Sequence, residues 1–381
     1  MKKTLWFILT IVLWSPCLNA QVPQPLGSSP IAVDPSISPT AVEVGPHHRI
    51  WQTVTVDDQG GAITNSYTEL ATGLNFFNPA TDQWEESQPQ FKITENGYAA
   101  ATNGQHQVVI SPALNDANGA VTLQAPDGKR FRSTILGLNL YDRLSGKGLL
   151  IAELTPSVGQ LIAPNQVFFP DCFDTLNADV RLTYERGQFH QDVILHEGLD
   201  LKRLETLGFA ADTSRLEIWT EFFESPDPTV RTRVMESEID PSLRAAMAEP
   251  DVVEEDLDFG VMKMPAGRAY LQEAARNLEQ SVVVPKQWVR INQRKFLVES
   301  LSLDALKPLF ATLPVSRSGL ANLRTSPRNE KDYAQRQPPS PSLVQGTTNT
   351  ILLAQGQRLG TPGVIWDYVT INGSLTNYTI K

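Results

Sequence analysis

Turn signals recur at short intervals between residues 73 and 154, and they constrain the fold of this chain more than any other feature. Short apolar runs in this stretch are separated by Asn-Pro, Glu-Asn-Gly, Asp-Ala-Asn-Gly, Pro-Asp-Gly and Ser-Gly-Lys-Gly. Glycine and asparagine tolerate positive φ and proline fixes φ, so each cluster favours a turn. Strands joined by turns at this spacing are typical of antiparallel β-structure. The sequence therefore predicts a mainly β fold, with an antiparallel sandwich-like domain and a few short helices.

Two later segments show the two-residue alternation of strands that bury one face. Ala178–Tyr184 and Phe189–Leu195 are joined through Arg186-Gly187, which predicts a hairpin. In Phe131–Tyr141 the alternation slips beside Gly137. A slip at a glycine predicts a β-bulge or a kink at that position.

Helical signals are few and short. Leu201–Leu207 can form a helical turn, and Asp240-Pro241 opens a second short helix that stops at Pro250. Asp304 is predicted to cap a third helix, Ala305–Leu313.

The N-terminus has the organisation of a secretory signal peptide. Lys2 and Lys3 provide the charged region, Leu5–Trp14 is apolar, and a small residue, Ala20, marks the predicted cleavage point. The apolar run is half of the roughly 20 residues needed to span a bilayer, and no later segment is long and apolar enough. We therefore expect an exported protein, periplasmic, cell-surface or extracellular, with no transmembrane segment in the mature chain.

Charge disfavours two classes of partner. The 381-residue chain carries a formal net charge of −10, which becomes −12 when Lys2 and Lys3 leave with the signal peptide. An acidic surface repels nucleic acid and anionic membranes. We expect no nucleic-acid partner; a glycan and another extracellular protein both remain as candidate partners.

Cysteine content also limits the chemistry. Cys17 is lost with the signal peptide, so Cys172 is the single cysteine of the predicted mature chain. An intramolecular disulfide and a zinc–thiolate cluster are then excluded. We expect a buried, inert thiol; the alternative is a nucleophile, which needs a histidine base such as His190 or His196.

Composition divides the chain after the signal peptide 1–20. Residues 21–44 are rich in Pro, Ser and Val without periodicity and are predicted to be an extended linker. A β-rich domain is predicted for 45–313 and a disordered Pro/Ser/Arg linker for 314–346. Residues 347–381 are rich in β-formers and are predicted to start a second β module. The alternative is that this tail docks on an edge of the main domain.

Four long stretches together carry a resemblance to a known group of proteins. They are GLNFFNPATDQWEESQPQF, LQAPDGKRFRSTILGLNLYD, APNQVFFPDCFDTLNADVRLTYERGQFHQDVILHE and RLEIWTEFF. They resemble uncharacterised secreted bacterial β-rich proteins, similar to the N-terminal regions of longer extracellular proteins with repeats. The resemblance implies a front part of such a protein, and it implies no activity and no catalytic residue.

The sequence predicts no metal site and no cofactor. His190, Asp192 and His196 share one face of a predicted strand, but at about 3.3 Å per residue the two histidines lie roughly 20 Å apart. They cannot converge on one zinc ion, whose ligands lie about 2 Å from the metal. Phosphate-binding glycine loops and the common hydrolase and metalloprotease motifs are also missing from the sequence. No catalytic residue is predicted. Whether the protein is an enzyme stays open, and the missing motifs disfavour an enzyme.

One ligand-binding site is predicted. In RLEIWTEFFE, Trp219 alternates onto one face with Glu217 and Glu221, and an indole flanked by carboxylates suits a sugar ring. The two carboxylates are about 13 Å apart along a strand, beyond the 5 to 9.5 Å of a glycosidase pair. The sequence therefore predicts an exported structural or binding module. The alternative is a carbohydrate-binding or carbohydrate-active protein that uses the Trp219 face.

Overall fold

The computed structural model describes residues 38–235, 242, 252–271, 281–316, 352–353 and 364–366. The predicted signal peptide and the predicted helix after Asp240-Pro241 lie outside the described residues, except for residue 242. Most of both predicted linkers and most of the tail also lie outside them.

The described residues are mainly strand, which confirms the predicted fold class. In chain order the strands are β1 (Thr40–Val44), β2 (His48–Val56), β3 (Ala62–Leu70), β4 (Asn75–Asn78), β5 (Gln83–Glu86), β6 (Lys92–Ile93), β7 (Ala99–Ala101), β8 (Gln107–Ile110), β9 (Val121–Gln124), β10 (Arg130–Asp142), β11 (Gly148–Glu153), β12 (Gln160–Ala163), β13 (Gln166–Phe169), β14 (Ala178–Tyr184), β15 (Phe189–Leu195), β16 (Ser214–Glu224), β17 (Thr229–Met235), β18 (Val252–Asp258), β19 (Lys263–Met264), β20 (Gly267–Leu271), β21 (Val282–Val284), β22 (Lys286–Ile291), β23 (Arg294–Ser302), β24 (Leu352–Leu353) and β25 (Val364–Trp366). The helices are α1 (Leu201–Thr206) and α2 (Leu303–Phe310).

Two large sheets share the main core. The first runs in the order β22-β23-β16-β10-β9-β8-β7-β6, with β11 also paired to β10. The second runs β21-β20-β25-β15-β14-β13-β12-β24. One apolar cluster contains Leu138 and Leu140 from the first sheet and Val180 and Leu182 from the second. Two mostly antiparallel sheets that bury their side chains together form the predicted sandwich-like domain.

The bulge predicted at Gly137 is confirmed. The pairing of β10 with β16 shifts register between Ile135 and Gly137, and its pairing with β11 shifts between Leu138 and Asn139. Gly137 has a φ of 154°, and a Cβ built there would lie 2.3 Å from the Ala152 carbonyl oxygen. Only glycine lets the two strands approach so closely at this point.

The predicted hairpin of Ala178–Tyr184 and Phe189–Leu195 is confirmed as β14 and β15. The two strands pair antiparallel along their whole length, from Ala178 opposite Leu195 to Tyr184 opposite Phe189.

The third predicted helix exists, but the residue predicted to cap it is wrong. Helix α2 begins at Leu303, and the side chain of Ser302 accepts a hydrogen bond from the Ala305 backbone N–H (3.2 Å). Asp304 lies in the first turn instead, where it pairs with Lys307. Both Ser and Asp are good N-cap residues, so the strand that precedes the helix decides which one occupies the cap.

The described parts of the tail belong to the second large sheet. Strand β25 pairs antiparallel with both β15 and β20, and β24 pairs parallel with β12. Strand β24 lies at one edge of this sheet, as the docking alternative expects, whereas β25 lies between two strands and not at an edge. The division of the whole chain into modules stays a prediction.

Smaller sheets complete the described structure: β1-β2-β3, β4-β5 and β17-β18-β19. Strand β1 covers residues 40–44, which are the last five residues of the segment predicted to be an extended linker. The described residues divide into two compact units, one with 38–40 and 52–66, the other with 41–51 and the described residues from 67 onward. Within 52–66, the Asp57 carboxylate accepts hydrogen bonds from two turn N–H groups, which closes the hairpin of β2 and β3.

Candidate functional site

The predicted ligand-binding residues lie on the central strand β16, and the structure buries all three. Glu217 is 2% exposed, Trp219 3% and Glu221 4%. The alternation is as predicted, because Leu216 and Ile218 belong to the main core while Trp219 lies in a separate cluster. That cluster covers the indole, so a ligand has no access to the Trp219 face.

Each polar group of this row has a partner within the protein. The Glu217 carboxylate accepts hydrogen bonds from Trp219 Nε1 (2.8 Å), Asn139 Nδ2 (3.1 Å) and Arg215 Nε (2.6 Å). Glu221 forms a two-pronged pair with Arg294, at 2.5 and 2.6 Å. Buried carboxylates require such partners, and these stabilise the sheet rather than receive a sugar.

The Cys172 thiol donates to the Ala178 backbone oxygen (3.7 Å) and not to either candidate histidine. Cys172 is fully buried; burial raises the pKa of its thiol, and the nearby Asp179 carboxylate adds to the effect. His196 pairs with Asp179, whereas His190 contacts Gln188 (2.9 Å). Within the described residues no cluster of three or more His, Cys, Asp or Glu is placed to hold a metal ion. A buried thiol with a raised pKa is a poor nucleophile.

A cleft of about 710 Å³ lies elsewhere, mostly among residues 73–154, for which the sequence predicts turns and strands but no ligand site. Its walls come from the β4–β5 hairpin, from the segment before β2, and from the ends of β7, β8 and β9. The residues that line it include Pro46, His47, Phe77, Asn78, Trp84, Glu85, Thr102, Asn103, Gln105, Gln107 and Gln124. Its volume is typical of small-molecule sites, which span roughly 300–1,000 Å³.

Two aromatic side chains form one wall of the cleft. Phe77 on β4 and Trp84 on β5 are directly opposite each other, because the turn between them pairs Asn78 with Gln83. Their rings meet edge to face with centroids 5.6 Å apart. Phe77 remains 47% exposed and Trp84 38% exposed. Large aromatic side chains are normally covered in a protein of this size, so this pair offers apolar surface to a ligand.

Amide side chains line the same cleft as the aromatic pair. Gln107 at the start of β8 lies opposite Gln124 at the end of β9, and both are exposed. Gln105 has a structural role, since its Nε2 donates to the backbone oxygens of Pro46 (2.6 Å) and Asn75 (2.8 Å). These two bonds fix the segment before β2 and the β4–β5 hairpin beside the sheet. The walls of the cleft are therefore held in place without a ligand.

The cleft contains two ionisable residues among its lining residues. Burial, together with the neighbouring His48, lowers the pKa of His47. His47 Nδ1 accepts a hydrogen bond from the Gly73 N–H (3.1 Å), so the proton of the neutral ring resides on Nε2. Glu85 Oε1 accepts bonds from Asn78 Nδ2 (2.7 Å) and Thr81 Oγ1 (2.8 Å). The His47 ring is therefore uncharged at neutral pH, and the other ionisable lining residue, Glu85, is already hydrogen-bonded.

The sequence holds a weak signal for this site. Phe77 and Trp84 flank the Asn78-Pro79 turn, and an aromatic pair on so short a hairpin cannot be buried by the hairpin alone. The contribution of Gln107 and Gln124 depends on strand pairing and on the Gln105 bonds, which no local pattern indicates.

The protein was compared with protein-family models, curated proteins and solved structures, and none of them matches. In the described part of the chain, neither helix is long and apolar enough to cross a membrane. The cleft geometry is therefore the main basis for a functional proposal.

Proposed function

We propose that this protein is an exported binding module, the front part of an extracellular or cell-surface protein, and that its ligand occupies the Phe77–Trp84 cleft. The charged, apolar and small-residue regions of 1–20 support export. The exposed aromatic pair supports binding in preference to a purely structural role, because solvent-exposed apolar surface of this kind is characteristic of interaction sites.

The burial of Glu217, Trp219 and Glu221 on β16 also supports the Phe77–Trp84 cleft as the binding site. Glu217 and Glu221 are both engaged by protein partners, whereas the cleft on the β4–β5 hairpin presents exposed aromatic rings. The acidic net charge disfavours nucleic acid as the ligand.

Export is tested by expressing the whole chain in a bacterial host and fractionating the cells. We expect the protein outside the cytoplasm with Gln21 as its first residue. A cytoplasmic protein that retains residues 1–20 would refute the export part of the proposal.

Binding is tested by a thermal-shift screen of the mature protein against mixed small molecules, oligosaccharides and peptides. Ligands of the cleft should raise the melting temperature of the wild type, because binding to the folded state alone stabilises it. The same ligands should have little effect on a Phe77→Ala/Trp84→Ala double variant. Ligands that stabilise both proteins equally would show that the cleft is not the binding site.

A further inference from the structure

We infer that the cleft binds an uncharged oligosaccharide, with a sugar ring lying against the Phe77 and Trp84 side chains. This inference rests on the proposed binding function and adds the class of ligand. It places the sugar site on the β4–β5 hairpin and not on the Trp219 face.

The aromatic pair provides the apolar part of the site. A sugar ring presents C–H groups on its faces and hydroxyls around its edge, so it can cover an aromatic ring without desolvating its hydroxyls. Phe77 and Trp84 meet edge to face, and both remain more than a third exposed. A ligand that combines an apolar face with a polar rim fits such a pair better than a wholly apolar one.

The polar groups beside the pair match hydroxyls. Each amide of Gln107 and Gln124 can donate and accept hydrogen bonds, as a sugar hydroxyl also does. The Gln107 amide makes a long contact of 3.4 Å to the Thr102 backbone oxygen, and Gln124 has no side-chain partner within the described residues. The Nε2 proton of His47 adds a further donor.

The charge of the cleft selects against ions. Its lining includes no Lys or Arg within the described residues, and anions are normally held by such groups. A cation would find aromatic rings but a single carboxylate among the lining residues of the cleft, Glu85, whereas bound metal cations are normally held by several oxygen ligands. An uncharged ligand with many hydroxyls is therefore the class that the cleft fits best.

The test is calorimetric titration of the mature protein, residues 21–381, with four uncharged hexasaccharides: cellohexaose, maltohexaose, xylohexaose and mannohexaose. An oligogalacturonate serves as the anionic probe and tetramethylammonium as the cationic probe. We expect at least one hexasaccharide to bind, and neither charged probe to bind as tightly.

Variants locate the binding. Trp84→Ala should weaken hexasaccharide binding by at least about tenfold, since aromatic anchors dominate binding energy. Gln107→Ala combined with Gln124→Ala should weaken hexasaccharide binding about threefold or more, because hydrogen bonds to the sugar hydroxyls are lost. Both amides are exposed, so their loss should not disturb the fold. Tyr98→Ala is the matched control: Tyr98 is a similarly exposed aromatic residue (36%) that does not line the cleft, and binding should be unchanged.

Three results would overturn the inference. The first is that no hexasaccharide binds; the second is that neither the Trp84 nor the glutamine variants weaken binding. The third is Trp84-dependent binding of a charged probe in preference to the sugars. In that third case the binding function at the cleft stands and the sugar assignment fails, so the two proposals are separated.

Discussion

Acid should destabilise this protein through one buried histidine, His106. The side chain is 1% exposed and lies 4.6 Å from the Tyr184 ring, centroid to centroid. Its Nε2 has no hydrogen-bond partner within the described residues. Burial lowers the pKa of His106 to about 4, and a hydrogen bond to the Gln188 backbone opposes this only in part. The folded protein therefore keeps the ring neutral at a pH where the unfolded chain protonates it.

The sign and the size of the change in the free energy of unfolding with pH follow from proton linkage. The unfolded histidine has a pKa near 6.5, so below that pH the unfolded state binds more protons and gains stability relative to the folded state. The difference between a pKa of 6.5 and one of about 4 corresponds to about 3 kcal/mol, because each pKa unit is worth about 1.4 kcal/mol. The loss of stability begins as pH falls through 6.5 and is complete only below about pH 4, and about 2 kcal/mol of it occurs between pH 7 and pH 5.

The assay is urea unfolding of wild type and a His106→Leu variant at pH 7 and pH 5. Carboxylates titrate in both proteins, so the wild-type-minus-variant difference isolates the histidine. We expect the free energy of unfolding of the wild type minus that of the variant to be about 2 kcal/mol lower at pH 5 than at pH 7. If His106→Leu does not fold, His106→Gln replaces it, since it also lacks a titratable ring.

A difference that stays constant within about 0.5 kcal/mol from pH 7 to pH 5 would refute the reasoning. It would mean that the ring gains a partner when protonated, or that the unfolded and folded states share one pKa. Direct titration of the ring by NMR would separate these two cases.

Three further predictions concern other parts of the chain. Cys172 should react with a thiol reagent in the native protein only as fast as local opening exposes it, and quickly after unfolding; fast native labelling would restore the nucleophile hypothesis. Gly137→Ala should cost about 1–3 kcal/mol in urea unfolding because its Cβ would meet the Ala152 carbonyl oxygen, and a neutral effect would contradict the close approach of the strands. Deletion of 347–381 should lower the melting temperature by more than about 4 °C because the strand β25 lies between β15 and β20, whereas an unchanged melting temperature would support a separate module.

The parts of the fold that the sequence predicts are those set by local chemistry. The hairpin of Ala178–Tyr184 and Phe189–Leu195 is evident because its alternation and its turn agree. The bulge at Gly137 can be predicted because a shift in side-chain parity within a strand normally requires a β-bulge. The cap at Ser302 was missed because Ser302 and Asp304 lie two residues apart and both are good N-cap residues, so the end of the preceding strand decides between them.

The candidate cleft depends on contacts between distant segments. Gln105 Nε2 bonds to Pro46 and Asn75, which are 59 and 30 residues away in sequence. Pairing of β8 with β9 then brings Gln107 opposite Gln124. Neither step follows from periodicity, so the sequence indicates an exposed aromatic hairpin without indicating what lies beside it.

The row on β16 shows why carboxylates beside a tryptophan are ambiguous in a sequence. Alternation places Glu217, Trp219 and Glu221 on one face, but it does not say whether that face is open. In this protein Phe296 from the neighbouring strand packs on the indole with centroids 5.6 Å apart, and Arg294 of the same strand neutralises Glu221.

A local feature does separate the two readings. Arg215 lies two residues before Glu217, so both side chains project from the same face and can pair without any distant contact. The charge of Glu217 is therefore neutralised within its own strand, which lowers the free-energy cost of burying the carboxylate. Phe77 and Trp84, in contrast, have no apolar residues within their short hairpin to cover them. A carboxylate with a basic residue two positions away on a strand therefore favours a structural role, and an aromatic pair across a short turn is the stronger indication of a ligand site.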